Sequence, residues 1–231
     1  WVGGERAAGQ VRVMAEDDGV VQAIEAARGR KLWVAGATER TDGHMDVSDG
    51  RVVFGNCAAK IFAVDVGSGN IAASVSVGEG CEMADGVAVQ GEHAYAGNRS
   101  GSVACVDLKQ ETLAWVNTNG VGGTYSTPAV SDSRVIFCGE SGTVHGMAPE
   151  SGEAVWASDT GGSEPVSPVI AGADVIAPVD GTLYGFSLSD GALRWQLAIG
   201  DEVTPPAIIH NMIVVGTDDG HIVAYGVGSK E

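Results

Sequence analysis

The stretch DGTLYGFSLSDGALRW, residues 180–195, decides the fold, because its pattern returns along nearly the whole chain. An Asp180-Gly181 turn opens an apolar run through Leu183, Tyr184, Gly185 and Phe186. A second turn, Ser189-Asp190-Gly191, sends the chain back into a strand that ends at Trp195. Asp-Gly turns reach positive φ at little steric cost, which two-residue hairpins require. The stretch predicts a strand, a tight turn and an antiparallel return strand.

Working outward, the apolar starts of the equivalent strands fall at Val21, Ile61, Val103, Val144, Leu183 and Ile222, at intervals of 40, 42, 41, 39 and 39 residues. A period near 40 marks a propeller or solenoid. Two residues after each start stands a small residue: Ala23, Ala63, Cys105, Gly146, Gly185 and Ala224. A second small column, in the preceding strand, reads Ala15, Gly55, Gly97, Cys138, Ala177 and Gly216. Face-to-face sheets need small side chains where backbones approach, so both columns are expected at contacts between neighbouring sheets. Runs such as 51–54 and 212–215 are almost continuously apolar, as suits strands covered on both faces.

Each copy's fourth strand carries Trp33, Trp115, Trp156 or Trp195, with Ala73 in the second copy. These tryptophans are expected to bury their rings against the next sheet and donate the indole N–H to backbone. The second copy also breaks the turn pattern, with Cys57-Ala58-Ala59-Lys60 where its siblings have a glycine, and is where the chain departs most from its own repeat. The expected architecture is an all-β propeller of four-stranded blades, six in number. It forms one domain over residues 1–231, with repeats near 1–36, 37–78, 79–120, 121–161, 162–200 and 201–231. The last copy stops after its third strand, and Trp1-Val2-Gly3-Gly4 echoes Trp33-Val34-Ala35-Gly36. That echo predicts an irregular closure in which the N-terminus supplies the missing outer strand and protects an open edge, with a place in the first strand of the first sheet as the alternative.

Composition narrows the function. With 30 acidic against 13 basic residues and a formal charge of −17, most of the surface repels a phosphate backbone, which excludes nucleic acid as a partner. No apolar run approaches the roughly 18 residues that a membrane-spanning helix needs. The chain begins at Trp1, so any targeting signal is out of view.

Ser126-Thr127-Pro128, Ser167-Pro168 and Pro205-Pro206 lead into the next first strands. Together with the small-residue column, the Gly turn, the Ser-Gly turn and the Trp, they make the repeat resemble the PQQ-like propeller repeat over residues 11–226. That family includes quinoprotein dehydrogenases, the propeller lipoprotein of the outer-membrane β-barrel assembly machinery, and sensor domains fused to bacterial kinases. No Trp-Asp pair closes a blade as it does in WD40 repeats. The dehydrogenases carry a Trp floor, a vicinal Cys pair and calcium-binding Glu, Asn and Asp. This chain has no adjacent Cys pair, so their catalytic residues map to no position and no quinone or other cofactor is expected.

Loops entering the first and third strands of a propeller surround the mouth of its channel, the usual binding face. Here they carry Arg40, His44, Lys60, Glu82, Asp85, Arg99, Tyr125, Glu164, Asp180 and Glu202, a mainly acidic set with its bases in the second and third copies. The set suits a protein or peptide segment, or a small cationic ligand. Spacing gives no metal motif; only His44, Cys57 and Cys81 share one neighbourhood, and Cys57 with Cys81 has the placement for a disulfide in an oxidising compartment. The resemblance and the missing quinone machinery favour a non-catalytic propeller, an assembly scaffold or sensor module working outside the cytoplasm, on the periplasmic side or the cell surface. Two other readings stay open: a quinoprotein-like or metal-dependent enzyme using the acidic mouth, and a purely architectural subunit.

Overall fold

A computed structural model describes residues 2–9, 11–16, 19–36, 39–41, 43–78, 86–118, 121–124, 126–163 and 165–226, without the side chains of 2–8 and 16. Every regular element is a strand, and the strands form six antiparallel sheets in chain order. Sheet one is β1 (Val2–Ala8), β2 (Val11–Glu16), β3 (Val20–Glu25) and β4 (Lys31–Gly36). Sheet two is β5 (Asp46–Ser48), β6 (Arg51–Asn56), β7 (Lys60–Asp65) and β8 (Ile71–Ser76), and sheet three β9 (Val87–Gln90), β10 (His93–Gly97), β11 (Val103–Asp107) and β12 (Thr112–Asn117). Sheet four is β13 (Ala129–Val130), β14 (Val135–Cys138), β15 (Thr143–Met147) and β16 (Ala154–Asp159). Sheet five is β17 (Val169–Ala171), β18 (Asp174–Val179), β19 (Thr182–Ser187) and β20 (Leu193–Ala198), and sheet six β21 (Ala207–Ile209), β22 (Met212–Gly216) and β23 (Ile222–Gly226). Consecutive sheets touch through their first strands, β5 with β1 and β9, β13 with β9 and β17, β17 with β21, as the blades of a propeller do around its axis.

The core lies between sheets. Val52, Phe54 and Phe62 of sheet two meet Val13, Val21 and Ala23 of sheet one. Val53 and Ile61 meet Ala94, Ala104 and Val106 of sheet three, and Leu183 of sheet five lies with Val215, Ile213 and Tyr225 of sheet six. Middle strands thus bury both faces, which accounts for their unbroken apolar runs.

The N-terminus does not complete sheet six. Val2–Ala8 pairs with β2, from Val2 opposite Glu16 to Ala8 opposite Val11, so it is the first strand of sheet one. The tight turn carrying Gly9 at φ 63° leaves that strand no reach toward another sheet. Trp1 lies outside the described residues, and sheet six has three strands among them.

In five sheets the pairing of third and fourth strands shifts register at the same place, directly after Ala23, Ala63, Cys105, Gly146 and Gly185. The bulge puts an extra residue on the fourth strand beside the Trp position and re-aims the side chains around it. The third-strand small column makes room for the Trp of its own sheet: a Cβ on Gly146 or Gly185 would stand 2.1 Å from the ring of Trp156 or Trp195. The ring then reaches onward. Trp33 Nε1 donates to Val66 O (2.7 Å), Trp115 to Pro149 O (2.8 Å) and Trp156 to Leu188 O (3.1 Å), each in the following sheet. There each ring covers the glycine of the hairpin between third and fourth strands, Gly69, Gly152 and Gly191, held at φ 75°, 68° and 72°. Sheet two has Ala73 instead, and the corresponding hairpin of sheet three has Glu111 at φ 56°. Where no Trp arrives, no glycine is required.

Candidate functional site

The loop face is built from two kinds of turn. One is the turn between second and third strands. In sheets two and three it is pinned from within by a buried asparagine: Asn56 Oδ1 accepts from the backbone N–H of Ala58 and Lys60, and Asn98 Oδ1 from those of Ser100 and Ser102. Both asparagines are buried, and each fixes two N–H groups that the tight turn would otherwise strand. This explains the irregular second copy. Ala59 adopts φ 56°, the conformation Gly101 and Gly142 take in sheets three and four, and its methyl group packs into the core shared by sheets two and three. The left-handed conformation costs an alanine about 1–2 kcal/mol. Burial of the methyl, worth about 0.8 kcal/mol, and the Asn56 hydrogen bonds offset it.

The other kind is the loop that enters each first strand. It folds over the first kind: Cys57 N donates to Arg40 O (2.8 Å), Glu140 N to Gly123 O (2.8 Å), Val166 N to Pro178 O (3.0 Å) and Thr204 N to Gly216 O (3.0 Å). Some of these bonds cross between sheets, as Thr124 N to Asn98 O, Val87 N to His44 O and Thr127 N to the Ser167 hydroxyl do. Val89 N also donates to the Asp46 carboxylate, joining sheets three and two. The face is therefore a set of loops held by backbone bonds to a rigid scaffold.

On it Arg40, His44, Lys60, Arg99, Asp180 and Glu202 are all exposed. They are distributed over sheets two, three, five and six and the loops that enter them. Glu82, Asp85, Tyr125, Glu164 and Cys81, together with any Cys57–Cys81 disulfide, lie outside the described residues. Asp180, at φ 45°, accepts from Ser163 N (3.0 Å) and so tethers the loop entering sheet five. Around the axis the Thr127-Pro128, Ser167-Pro168 and Pro205-Pro206 pairs line a cavity of about 320 Å³ together with His44, Met45 and Asp46.

The sequence places Asp218 and Asp219 on these same loops; what it does not show is that Asp201 stands beside them. Asp201, Asp218, Asp219 and His221 surround a second hollow of about 320 Å³ between sheets five and six. The Thr217 hydroxyl and then His221 hold the Asp219 carboxyl below its usual range, and the same Asp219, 2.9 Å from His221 Nδ1, holds that imidazole above its own. Glu140, Asp180 and Glu202 continue the arc, all exposed carboxylates on the loops of sheets four to six. The signal was present as Asp218-Asp219 and Asp201-Glu202, but adjacency across sheets appears only once the repeats are stacked. Among the described residues no group of three or more His, Cys, Asp or Glu side chains is arranged to hold a metal ion. His145 of β15 is buried, and its Nε2 has no hydrogen-bond partner. Cys105 and Cys138 fill small-column positions, and burial pushes both thiols up to about 12.

Comparison with known proteins agrees with this architecture. The crystal structure of BamB from Moraxella catarrhalis superposes with a TM-score of 0.81 at 18% identity, covering 98% of this chain and 70% of that one. The computationally designed Ika8 protein gives 0.83 at 17% identity, over 98% of this chain and 71% of that one. Among curated proteins, the outer membrane protein assembly factor BamB of Xanthomonas campestris pv. campestris is 29% identical over 131 residues, 51% of this chain and 32% of that protein. The one from Yersinia pestis is 26% identical over 152 residues, 58% of this chain and 39% of that protein. The matched regions thus span about a third of these relatives' length. The family model described as outer membrane protein assembly factor BamB matches residues 5–85, 68–205 and 140–230, and the chain belongs to that family of PQQ-like propellers.

Proposed function

We propose that this propeller is a non-catalytic binding module of outer-membrane protein assembly, working on the periplasmic side of the envelope, and that its loop face holds a segment of a partner protein. The observation that carries the reading is the family match, which runs through all six sheets. The loop face supports it: backbone-stapled loops form a pre-organised platform, so docking requires little ordering of the receptor. The carboxylates of sheets four to six favour a partner segment rich in Lys and Arg. In this reading residues 1–231 act as a single propeller unit.

The test is co-purification from envelope membranes of the native host after mild cross-linking, with the outer-membrane assembly components identified by mass spectrometry. Replacing Asp201, Glu202 and Asp218 by lysine is expected to weaken recovery at least tenfold and to remove its sensitivity to salt, with the unfolding temperature unchanged. Recovery of no assembly component with the parent protein, or a purified chain that retains a quinone and oxidises alcohols with a dye acceptor, would sink the reading.

A further inference from the structure

Because the sheets repeat, each position in one has counterparts in the others, and one row of sheet three departs from all of them. The small residue of the third strand stands opposite a second-strand valine or isoleucine: Val13 opposite Ala23, Val53 opposite Ala63, Ile136 opposite Gly146, Ile176 opposite Gly185 and Val214 opposite Ala224. In sheet three the pair is Tyr95 and Cys105. An aliphatic side chain suffices wherever this row serves packing alone, so the scaffold does not demand the tyrosine. Cys105 pairs in turn with Trp115, and sheet three thereby brings two aromatic rings together, their centroids 6.1 Å apart and their planes inclined by 47°.

These rings do not close the space between sheets three and four. They wall a crevice of about 530 Å³ at the end of the sheets opposite the entry loops, where the turns between first and second strands and between third and fourth strands lie. Tyr95 is 4% exposed, and Trp115 is fixed by its N–H bond to Pro149 O and by Gly152 against its ring, so neither has to be ordered when a ligand enters. Glu92 and Asp132 line the crevice from the first turns of sheets three and four, and Glu150 from the second turn of sheet four. Arg51 of sheet two meets Glu92 at 2.7 Å, whereas Asp132 accepts from the uncharged side chain of Gln90. Asp132 and Glu150 therefore keep their negative charge at the mouth, and apart from His93 no basic side chain lines the crevice among the described residues. Burial, then the Cys105 thiol and the Glu150 carboxylate, hold the Tyr95 hydroxyl above its ordinary pKa, which places Glu150 within electrostatic reach of that ring.

We infer that this crevice is a second binding site, on the opposite end from the loop face, for an arginine side chain of a partner polypeptide. The guanidinium lies against the rings of Tyr95 and Trp115 and donates to the Glu150 carboxylate, and Asp132 adds to the attracting charge. Aromatic rings attract cations, and a planar guanidinium both stacks on a ring and bonds a carboxylate through two N–H groups. Other occupants fit the walls less well. A phosphate or carboxylate would meet carboxylates of its own sign, and an apolar group would strip water from Asp132 and Glu150 without giving them a partner. His93, Asp132 and Glu150 are exposed at the mouth, so a side chain can enter from solvent while the backbone that carries it stays outside.

The site is tested on the purified chain with no assembly component present, so its failure is separate from failure of the function proposed above. N-acetyl-arginine amide is titrated into isotope-labelled protein and followed by nuclear magnetic resonance, with the neutral isostere N-acetyl-citrulline amide and with tetramethylammonium as comparison probes. The Trp115 indole N–H and the backbone amides of Tyr95 and Glu150 are expected to shift saturably with the arginine probe, with Kd on the order of 1 mM, and about tenfold more weakly with citrulline. Glu150→Gln, at an exposed position, is expected to weaken binding about three- to fivefold, and Glu153→Gln, exposed on the same hairpin but outside the crevice, to leave it unchanged. Tyr95→Val, the residue that sheets one, two and six carry, is expected to abolish the shift at Trp115, and Tyr95→Phe, which keeps the ring, to retain it. Shifts that do not saturate, equal affinity for citrulline, unchanged binding in Tyr95→Val, or equal weakening by Glu150→Gln and Glu153→Gln overturn the inference. Tetramethylammonium binding more tightly than the arginine probe overturns the choice of occupant and assigns the crevice to a small organic cation.

Discussion

If the Trp-to-glycine contact between successive sheets is the unit that sets their spacing, then Trp156 and Gly191 must be coupled energetically. Trp156 is 8% exposed, stacks over Gly146 of its own sheet and donates to Leu188 O of the next. Trp156→Ala removes a large buried ring and one neutral hydrogen bond, which places its cost at about 3–5 kcal/mol. Gly191→Ala combines two effects. The left-handed backbone at φ 72° costs an alanine about 1–2 kcal/mol. The new Cβ would also lie 2.5 Å from Trp156 Cε3, so the indole must move off its seat and lose part of its packing and its hydrogen bond. The two effects together amount to about 3 kcal/mol. Once Trp156 is alanine, the backbone term remains together with a contact to the Ser158 hydroxyl, 2.8 Å from the new Cβ, and the double-mutant cycle should give a coupling of about 1–2 kcal/mol. Urea unfolding followed by far-UV circular dichroism supplies the four stabilities, provided the m-values agree, since a repeat array that loses cooperativity changes m before it changes the midpoint. Additive behaviour within about 0.5 kcal/mol would refute the coupling and leave the tryptophans as ordinary core residues. Glu111→Gly is the control: no Trp faces it, so relief of its left-handed strain should stabilise the chain by about 1 kcal/mol in the parent background.

Other substitutions probe single features. Asn98→Ala removes the buried acceptor of the Ser100 and Ser102 N–H groups in a part-buried turn and is expected to cost about 1 kcal/mol, while Asn98→Asp, which keeps the acceptor, should recover most of it; equal losses for both would place the effect elsewhere. Burial holds the folded-state pKa of His145 below its ordinary 6.5, so the unfolded chain alone takes up this proton as pH drops below about 6.5. Stability from this group is therefore level above that pH and declines below it. His145→Phe, the residue Phe62 places at the same position in sheet two, should gain on the parent progressively between pH 7.5 and 5; parallel unfolding curves would dismiss the effect. Arg51 and Glu92 join sheets two and three at 2.7 Å, but with Glu92 41% exposed the pair is worth at most about 1 kcal/mol, and 1 M salt should erase the difference between the parent and Glu92→Gln.

Much of the architecture was legible because it is written six times. The Asp180-Gly181 turn, the small columns and the Trp positions each repeat, and repetition separates structural demand from chance at any one position. The bulge before each Trp was not legible, because the extra residue, Leu32, Ala72, Ala114, Val155 or Arg194, has no common chemistry; only the pairing register reveals it. The pinning role of Asn56 and Asn98 was not legible because an asparagine in a turn reads as a residue facing solvent, whereas these two are buried. The N-terminal echo, Trp1 to Gly4 against Trp33 to Gly36, misled for a related reason. Four residues of likeness carry less weight than the short turn at Gly9, which binds Val2–Ala8 to the strand after it.

The same logic separates scaffold from the proposed binding face. Any residue that recurs at one phase of the repeat is explained by the packing of sheets: Trp156 by Gly191, Gly185 by Trp195, Leu183 by sheet six. What the scaffold leaves unexplained must differ between copies and lie where side chains are free to differ, at the turns and entry loops. Asp201, Glu202, Asp218 and Asp219 meet both conditions: they are exposed, they stand on loops whose backbones are bonded to neighbouring strands, and sheets one to four carry no such run of carboxylates among their described turns. The stapling beneath them matters as much as the charge. A carboxylate on a loose loop attracts a basic segment without positioning it, but carboxylates on loops held by bonds such as Thr204 N to Gly216 O and Thr217 N to His221 O would present one spacing to the proposed partner segment. Shifting that spacing while keeping the charge should therefore weaken binding by slowing neither encounter nor folding, but by shortening the life of the complex. Thr204→Gly, which removes the hydroxyl that accepts from Gly216 N and leaves all four carboxylates in place, makes that change.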